Sequence, residues 1–174
     1  MRVIRGKYKG KKIDGFGIDG TRPTMDRIKE SLFAMIQNNL EDSVCLDLFA
    51  GTGSLGIEAL SNGAKQCYFV ENNSEMTKIL RKNLLNIESS TIIEAHYKKA
   101  IKSIKTKFDI IFLDPPYHLN IITKAIQDII DFNLLNNNAL IVCEYENEDI
   151  MSKLPIIKEK KYGNKHIKIY QYKI

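Results

Sequence analysis

Residues 108–117, FDIIFLDPPY, restrict the fold more than any other stretch of this chain. Ile110, Ile111, Phe112 and Leu113 form an unbroken apolar run. Such a run predicts a strand covered on both faces, as at the centre of a parallel sheet between helices. Pro115 and Pro116 have a fixed φ and no N–H, so the strand stops before them. Asp114 therefore stands at the carboxyl end of a central strand, where open α/β sheets place their ligands. Tyr117 adds a flat ring beside the acid. A carboxylate, an open proline carbonyl and an aromatic face suit a planar amino group. The acid and carbonyl accept its hydrogens, and the ring stacks on its base. The plainer alternative for this tetrapeptide is a strand-to-helix loop with a stiff turn.

A second stretch favours the ligand site. Residues 44–48, VCLDL, read as the first core strand, and FAGTGSLG follows before a helix through Leu60. Gly51, Gly53 and Gly56 give GxGxxG, a weak signal alone that gains weight from its strand–turn–helix setting. Glycine lets the turn bend tightly and lets a ligand approach the backbone. The next strand, residues 67–70, ends at Glu71, twenty residues after Gly51. That is the spacing of an acid that holds ribose hydroxyls, so the pair predicts a nucleoside cofactor.

The remaining elements follow from periodicity. Thr24 is placed to cap a helix whose buried stripe is Ile28, Leu32, Met35 and Ile36, with Arg27 and Lys29 on its polar side. A helix amino terminus near Arg22 can hold an anion, or the capping can be structural only. Further helices are expected over residues 73–88 and 97–104, and on a face formed by Ile121, Ile122, Ala125, Ile126, Ile129 and Ile130. Strands are expected at 91–93 and 139–143, with a closing antiparallel pair at 156–161 and 166–172 around Gly163-Asn164. The alternation predicts one α/β domain: a mostly parallel sheet between helices with an antiparallel edge.

The chain has 174 residues and a formal charge of +5, which favours a polyanionic partner without establishing one. Residues 1–20 carry Arg2, Arg5, Lys7, Lys9, Lys11 and Lys12, and Val3-Ile4 and Lys12-Ile13 could pair there as a hairpin. Tyr8 and Phe16 interleave it, as contacts with single-stranded nucleic acid often require; the plainer reading is a solvated basic terminus. Cys45, Cys67 and Cys143 all fall in expected strands, which argues against disulfides and for a reducing, cytoplasmic setting. No apolar run is long enough to span a bilayer, and the amino terminus lacks a signal-peptide core.

Three functions compete for these features. A nicotinamide oxidoreductase accounts for the glycine turn and Glu71 but not for Asp47, whose charge just before the turn would repel a pyrophosphate. An S-adenosylmethionine methyltransferase accounts for Asp47 as a partner for the methionine ammonium, and for Asp114 through Tyr117. An RNA-binding module without catalysis explains the basic terminus and neither acid. His118 and His166 lack metal-ligand spacing with any cysteine or acid, so no metal is expected.

The chain resembles the RsmD-like family of small-subunit ribosomal RNA guanine-N2 methyltransferases over nearly its whole length. The resemblance is carried by VIRGKYKG at residues 3–10, RPTMDR at 22–27, DLFAGTG at 47–53, DPPY at 114–117 and KYG at 161–163. It implies a Rossmann-like class I methyltransferase fold: a seven-stranded, mostly parallel sheet with a small basic amino-terminal hairpin extension. It implies S-adenosylmethionine as cofactor and a guanine amine of 16S rRNA, naked or in the 30S particle, as substrate of a monomeric enzyme. By position, Asp47, Phe49, Gly51, Gly53, Glu71, Asn72, His96 and Asp114 would line the cofactor. His96 stands where the family usually has an acid for the adenine amine. Asp114, Pro115, Pro116 and Tyr117 would face the target base. Arg5, Lys7, Tyr8, Lys9, Arg22 and Arg27 would contact RNA. The same tetrapeptide also serves adenine and cytosine amines in other amino-methyltransferases.

Overall fold

The structure, a computed structural model, describes residues 1–15 and 22–174, with only the backbone of residues 22–24. Phe16 thus lies outside the described residues, as do the side chains of Arg22 and Thr24. Seven strands form one sheet in the order β3-β2-β1-β4-β5-β7-β6. These are β1 Val44–Asp47, β2 Gln66–Glu71, β3 Ser90–Glu94, β4 Phe108–Leu113, β5 Leu135–Tyr145, β6 Ile156–Tyr162 and β7 Lys165–Gln171. The first five run parallel, and β7 lies antiparallel between β5 and β6. Strand order reverses between β1 and β4, so the sheet's carboxyl edge opens a crevice there.

Period-two alternation divides the core. Cys45, Ile110, Phe112, Leu140, Val142, Ile167 and Ile169 face one side, where α1 Arg22–Leu40 and α2 Ser54–Ser61 cover them. α3 Ser74–Asn83 packs in the same layer. Leu46, Ile111, Leu113, Ile141, Cys143 and Tyr170 face the other side, under α4 Tyr97–Ser103 and α5 Ile122–Asp131. α5 buries Ile122, Ala125, Ile126 and Ile129, one helical face. All three cysteines are free and buried.

Four expectations need correction. α1 begins at Arg22, so Thr24 lies inside its first turn and not ahead of it. α3 ends at Asn83 and not near 88, because Leu84 closes it and Asn86 has φ 63°. β5 starts at Leu135, ahead of the expected 139. The added stretch includes Asn136-Asn137-Asn138, which an irregularity in the β4–β5 register accommodates. Lys29 is not on a polar face: it is 3% exposed and pairs with Glu58, itself 1% exposed, at 3.2 Å.

That buried pair explains the amino-terminal hairpin. Its backbone pairs Val3 N–H to the Lys11 carbonyl at 2.9 Å and Ile13 N–H to the Met1 carbonyl at 2.9 Å. Glu58 then accepts the N–H groups of Ile4 (2.9 Å) and Arg5 (3.2 Å), while Lys29 donates to the Arg2 carbonyl at 2.8 Å. Val3 and Ile13 are core residues. The hairpin is therefore built into the helical layer and is not a loose extension.

Candidate active site

A cleft of about 660 Å³ opens at the carboxyl ends of β1, β2 and β4. Phe49, Gly51, Glu71, Asn72 and His96 line it, as do Asp114, Pro115, Pro116 and Tyr117. Nine residues singled out from sequence therefore share one wall. Gly51 has φ 55°, and no heavy atom lies within 4 Å of where its Cβ would project. The turn thus bends as only glycine readily allows and leaves room for a ligand against the backbone. Gly53 differs. It also has positive φ, but a Cβ there would fall 2.6 Å from Leu80 Cδ1, so it serves packing and does not line the cleft.

Glu71 ends β2 and faces the backbone N–H groups of Asn72, Gly51 and Asn73. Burial raises its pKa, and those donors pull it back. The spacing from Gly51 thus corresponds to a physical contact between turn and acid. Asp47 is 1% exposed and absent from the cleft wall. Its Oδ2 accepts the Gly56 N–H at 3.2 Å, and its Oδ1 has no partner among the described residues. Burial pushes this carboxyl up to about 7, with the Gly56 N–H opposing and the Glu71 charge adding. Asp47 is therefore a buried, half-satisfied acid behind the turn.

His96 caps α4: its Nδ1 accepts the Lys98 N–H at 3.3 Å. It is exposed on the cleft, with its ring 4.8 Å from that of Tyr97, which in turn lies 5.1 Å from Phe49. These rings give the cleft an aromatic wall. Glu94, the acid near His96, points its charge to Arg81 at 3.5 Å.

Asp114 follows β4 as expected. Burial, then the charges of Glu144 and Asp47, lift its carboxyl well above the usual range, and Lys165 opposes them. The Pro116 carbonyl accepts the Leu119 N–H at 3.1 Å. Among the described residues the Pro115 carbonyl has no hydrogen-bond partner and remains open. Tyr117 starts a short 3₁₀ turn, and Lys165 Nζ lies 5.4 Å from its ring centroid. Burial raises the Tyr117 hydroxyl to about 12; it interacts with Lys165 and with Glu144. One ring face thus carries an ammonium, which the sequence did not suggest.

Glu144 and Lys165 escaped the sequence reading. A signal existed for Glu144: an acid directly after the apolar run of β5, as Asp47 ends β1 and Asp114 follows β4. Lys165 opens β7 after the Gly163 turn, and only the antiparallel pairing of β7 with β5 brings it there. Lys29 and Glu58 gave no signal that sets them apart from other helical charges.

The amino-terminal group of the predicted RNA contacts lies away from the cleft. Arg5, Lys7 and Lys9 are exposed around a turn packed on Ser61, at the end of α2 farthest from the glycine turn. Lys7 pairs with Glu88 at 3.2 Å, and the Tyr8 hydroxyl accepts the Glu88 N–H at 3.2 Å. Arg27 is exposed on α1. Among the described residues no three His, Cys, Asp or Glu side chains gather as metal ligands, and no helix is long and apolar enough to cross a membrane.

The family model described as Conserved hypothetical protein 95 matches residues 1–171. Ribosomal RNA small subunit methyltransferase D of Haemophilus influenzae is 37% identical over 98% of this chain and 93% of its own length. A solved structure described as putative methyltransferase yhhF from Escherichia coli superposes with a TM-score of 0.88 at 31% identity, covering 99% and 98%. A more distant fold relative is an RNA methyltransferase from Salinibacter ruber in complex with S-adenosyl-L-homocysteine. Its TM-score is 0.67 at 13% identity, over 84% of this chain and 91% of its own.

Proposed function

This chain belongs to the conserved hypothetical protein 95 family, the RsmD-like methyltransferases, and on that premise we propose that it methylates the exocyclic N2 amine of a guanine in small-subunit ribosomal RNA. S-adenosylmethionine is the cofactor, and it supplies a methyl group already activated on a sulfonium. The observation that carries the reading is Asp114 beside the open Pro115 carbonyl, on the wall of a cleft whose glycine turn leaves its backbone uncovered.

The residues present fit that cofactor. The space at Gly51 admits it to the backbone, and Glu71 is an acid placed for ribose hydroxyls. Phe49 and His96 would flank the adenine; the capping bond at His96 Nδ1 leaves Nε2 for that contact. Asn72 lines the same end. An ammonium held at the turn would satisfy the unpartnered oxygen of Asp47.

Asp114 and the Pro115 carbonyl accept the two amine hydrogens. This favours a pyramidal nitrogen whose lone pair points at the methyl carbon. Positive charge grows on that nitrogen during transfer, so the carboxylate is worth more in the transition state than before it. The proton leaves afterwards, because a methylated amine with positive charge is acidic. Tyr117 offers a ring wall for a base drawn out of its stack.

The protein works as one domain and one copy, in the cytoplasm, on small-subunit RNA or its assembling particle. Arg5, Lys7, Tyr8, Lys9, Arg22 and Arg27 supply the RNA contacts, and Lys7 and Tyr8 also hold the hairpin turn against Glu88. Mass spectrometry of ribosomal RNA nucleosides with and without the gene tests the reading. Loss of N2-methylguanosine from the small-subunit RNA is expected; an unchanged nucleoside profile contradicts it.

A further inference from the structure

Asp114 and Tyr117 wall two cavities. Besides the large cleft they line a second cavity of about 170 Å³, together with Met1, Ser54, Glu144 and Lys165. A group held on one side of Asp114 meets a group held on the other at that carboxylate. With the methyl donor in the large cleft, the acceptor base belongs in the small one.

The polar wall of the small cavity carries Asp114, Glu144 and Lys165. Asp114 is the acceptor for the amine. Glu144, 9% exposed, is the last residue but one of the neighbouring strand β5. Lys165 Nζ lies 3.5 Å from Glu144 Oε1. A carboxylate has about four acceptor sites and an ammonium three hydrogens, so this ion pair leaves both partners capacity for a ligand. Lys29 also lines the cavity, but its ammonium is held by the Arg2 carbonyl, Ser54 Oγ and Glu58.

Nucleobases differ in what lies beside the amine. In guanine the N2 amine is followed around the ring by N1–H and O6: donor, donor, acceptor. In adenine the amine is followed by N1, a bare acceptor, and then C2–H. In cytosine it is followed by N3 and O2, both acceptors. A second carboxylate next to Asp114 accepts the guanine N1–H and repels the lone pair of adenine N1 or cytosine N3. An ammonium beyond it donates to O6.

We infer that Glu144 and Lys165 are the residues that restrict the acceptor to guanine, Glu144 by accepting N1–H and Lys165 by donating to O6. This rests on the proposed amine methylation and adds the means of base selection. The pair leaves amine chemistry to Asp114 and sets which base can present its amine there.

The test uses small-subunit RNA carrying guanine or 2-aminopurine at the acceptor position, mapped first with the native protein. 2-Aminopurine keeps the amine but has a bare N1 and no O6. Single-turnover methylation gives the guanine to 2-aminopurine rate ratio, expected on the order of 10²-fold or more in the native protein. In Glu144→Gln the amide can donate to a bare N1, so the ratio should fall about tenfold or more, on the scale of one base-edge hydrogen bond. Lys165→Met should lower it too, because nothing then donates to O6. Calorimetric affinity for S-adenosylmethionine should stay unchanged in both. A purely structural role would slow both bases alike and leave the ratio fixed, which would overturn the inference while guanine methylation stands. No guanine methylation by the native protein would overturn the proposed function, and this inference with it.

Discussion

Replacing Asp114 by Asn keeps the shape of the side chain and removes its charge. Turnover should fall about 10²–10³-fold, the scale of removing one preorganised electrostatic interaction, with cofactor affinity nearly unchanged. Single-turnover rates check this. The position of Asp114 was legible because two prolines fix where the strand ends, and backbone chemistry does not depend on distant residues. The environment of Tyr117 was not. A free ring face predicts that Tyr117→Phe is mild, but the hydroxyl interacts with Lys165 and Glu144 across three separate elements. Tyr117→Phe should therefore slow methylation measurably, yet less than Tyr117→Ala, which also removes the ring. Equal rates for Tyr117→Phe and the native protein would show the hydroxyl interactions to be idle. Asp47 was expected at the cofactor as a partner for its ammonium, and nothing in the sequence announced that it would lie buried behind the turn. Its burial instead follows from the first turn of α2 folding back over β1, which strand-end logic alone cannot supply.

At the scale of elements, the central strands and α5 were readable because runs and stripes of apolar residues report their own burial. Boundaries at asparagine-rich turns were not, since left-handed asparagines end α3 in one place and sit within a strand in another. The hairpin was recognised as a pairing but not as part of the core, because its anchor is a salt bridge between α1 and α2. Removing one member of a buried, hydrogen-bonded pair strands the other. Glu58→Ala should cost about 3–5 kcal/mol of unfolding free energy, and Lys29→Met with Glu58→Leu together should cost less. Urea denaturation of the single and double variants measures this. The basic turn of the hairpin gives a separate expectation. Replacing Arg5, Lys7 and Lys9 by Ala should flatten the salt dependence of RNA affinity, by about 0.7–0.9 in log–log slope for each phosphate no longer neutralised. Cofactor affinity should not change; an unchanged slope would leave these residues as a solvated turn.

For the whole molecule, the sheet gathers Asp47, Glu71, Asp114 and Glu144 at one edge, and the pKa of each is raised, chiefly by burial. A carboxyl whose folded pKa exceeds its unfolded value holds its proton longer in the native state. Its contribution to stability is then full below the unfolded pKa, about 4, and is lost as pH rises through the folded value. For Asp47 that window runs from about 4 to about 7. Thermal melts should show the free protein losing stability across it, and Asp47→Asn should make the decline shallower. That cluster of acids is suited to a cationic cofactor and to an amine that gains charge in the reaction. The central claim is that this edge moves a methyl group to guanine N2 with Asp114 as acceptor. The most direct measurement is single-turnover reaction of small-subunit ribosomal RNA with S-adenosylmethionine labelled in its methyl group, followed by nucleoside analysis. Label should appear in N2-methylguanosine and be strongly reduced with Asp114→Asn. Label in N6-methyladenosine or on a ring carbon, or full activity of Asp114→Asn, would contradict the account.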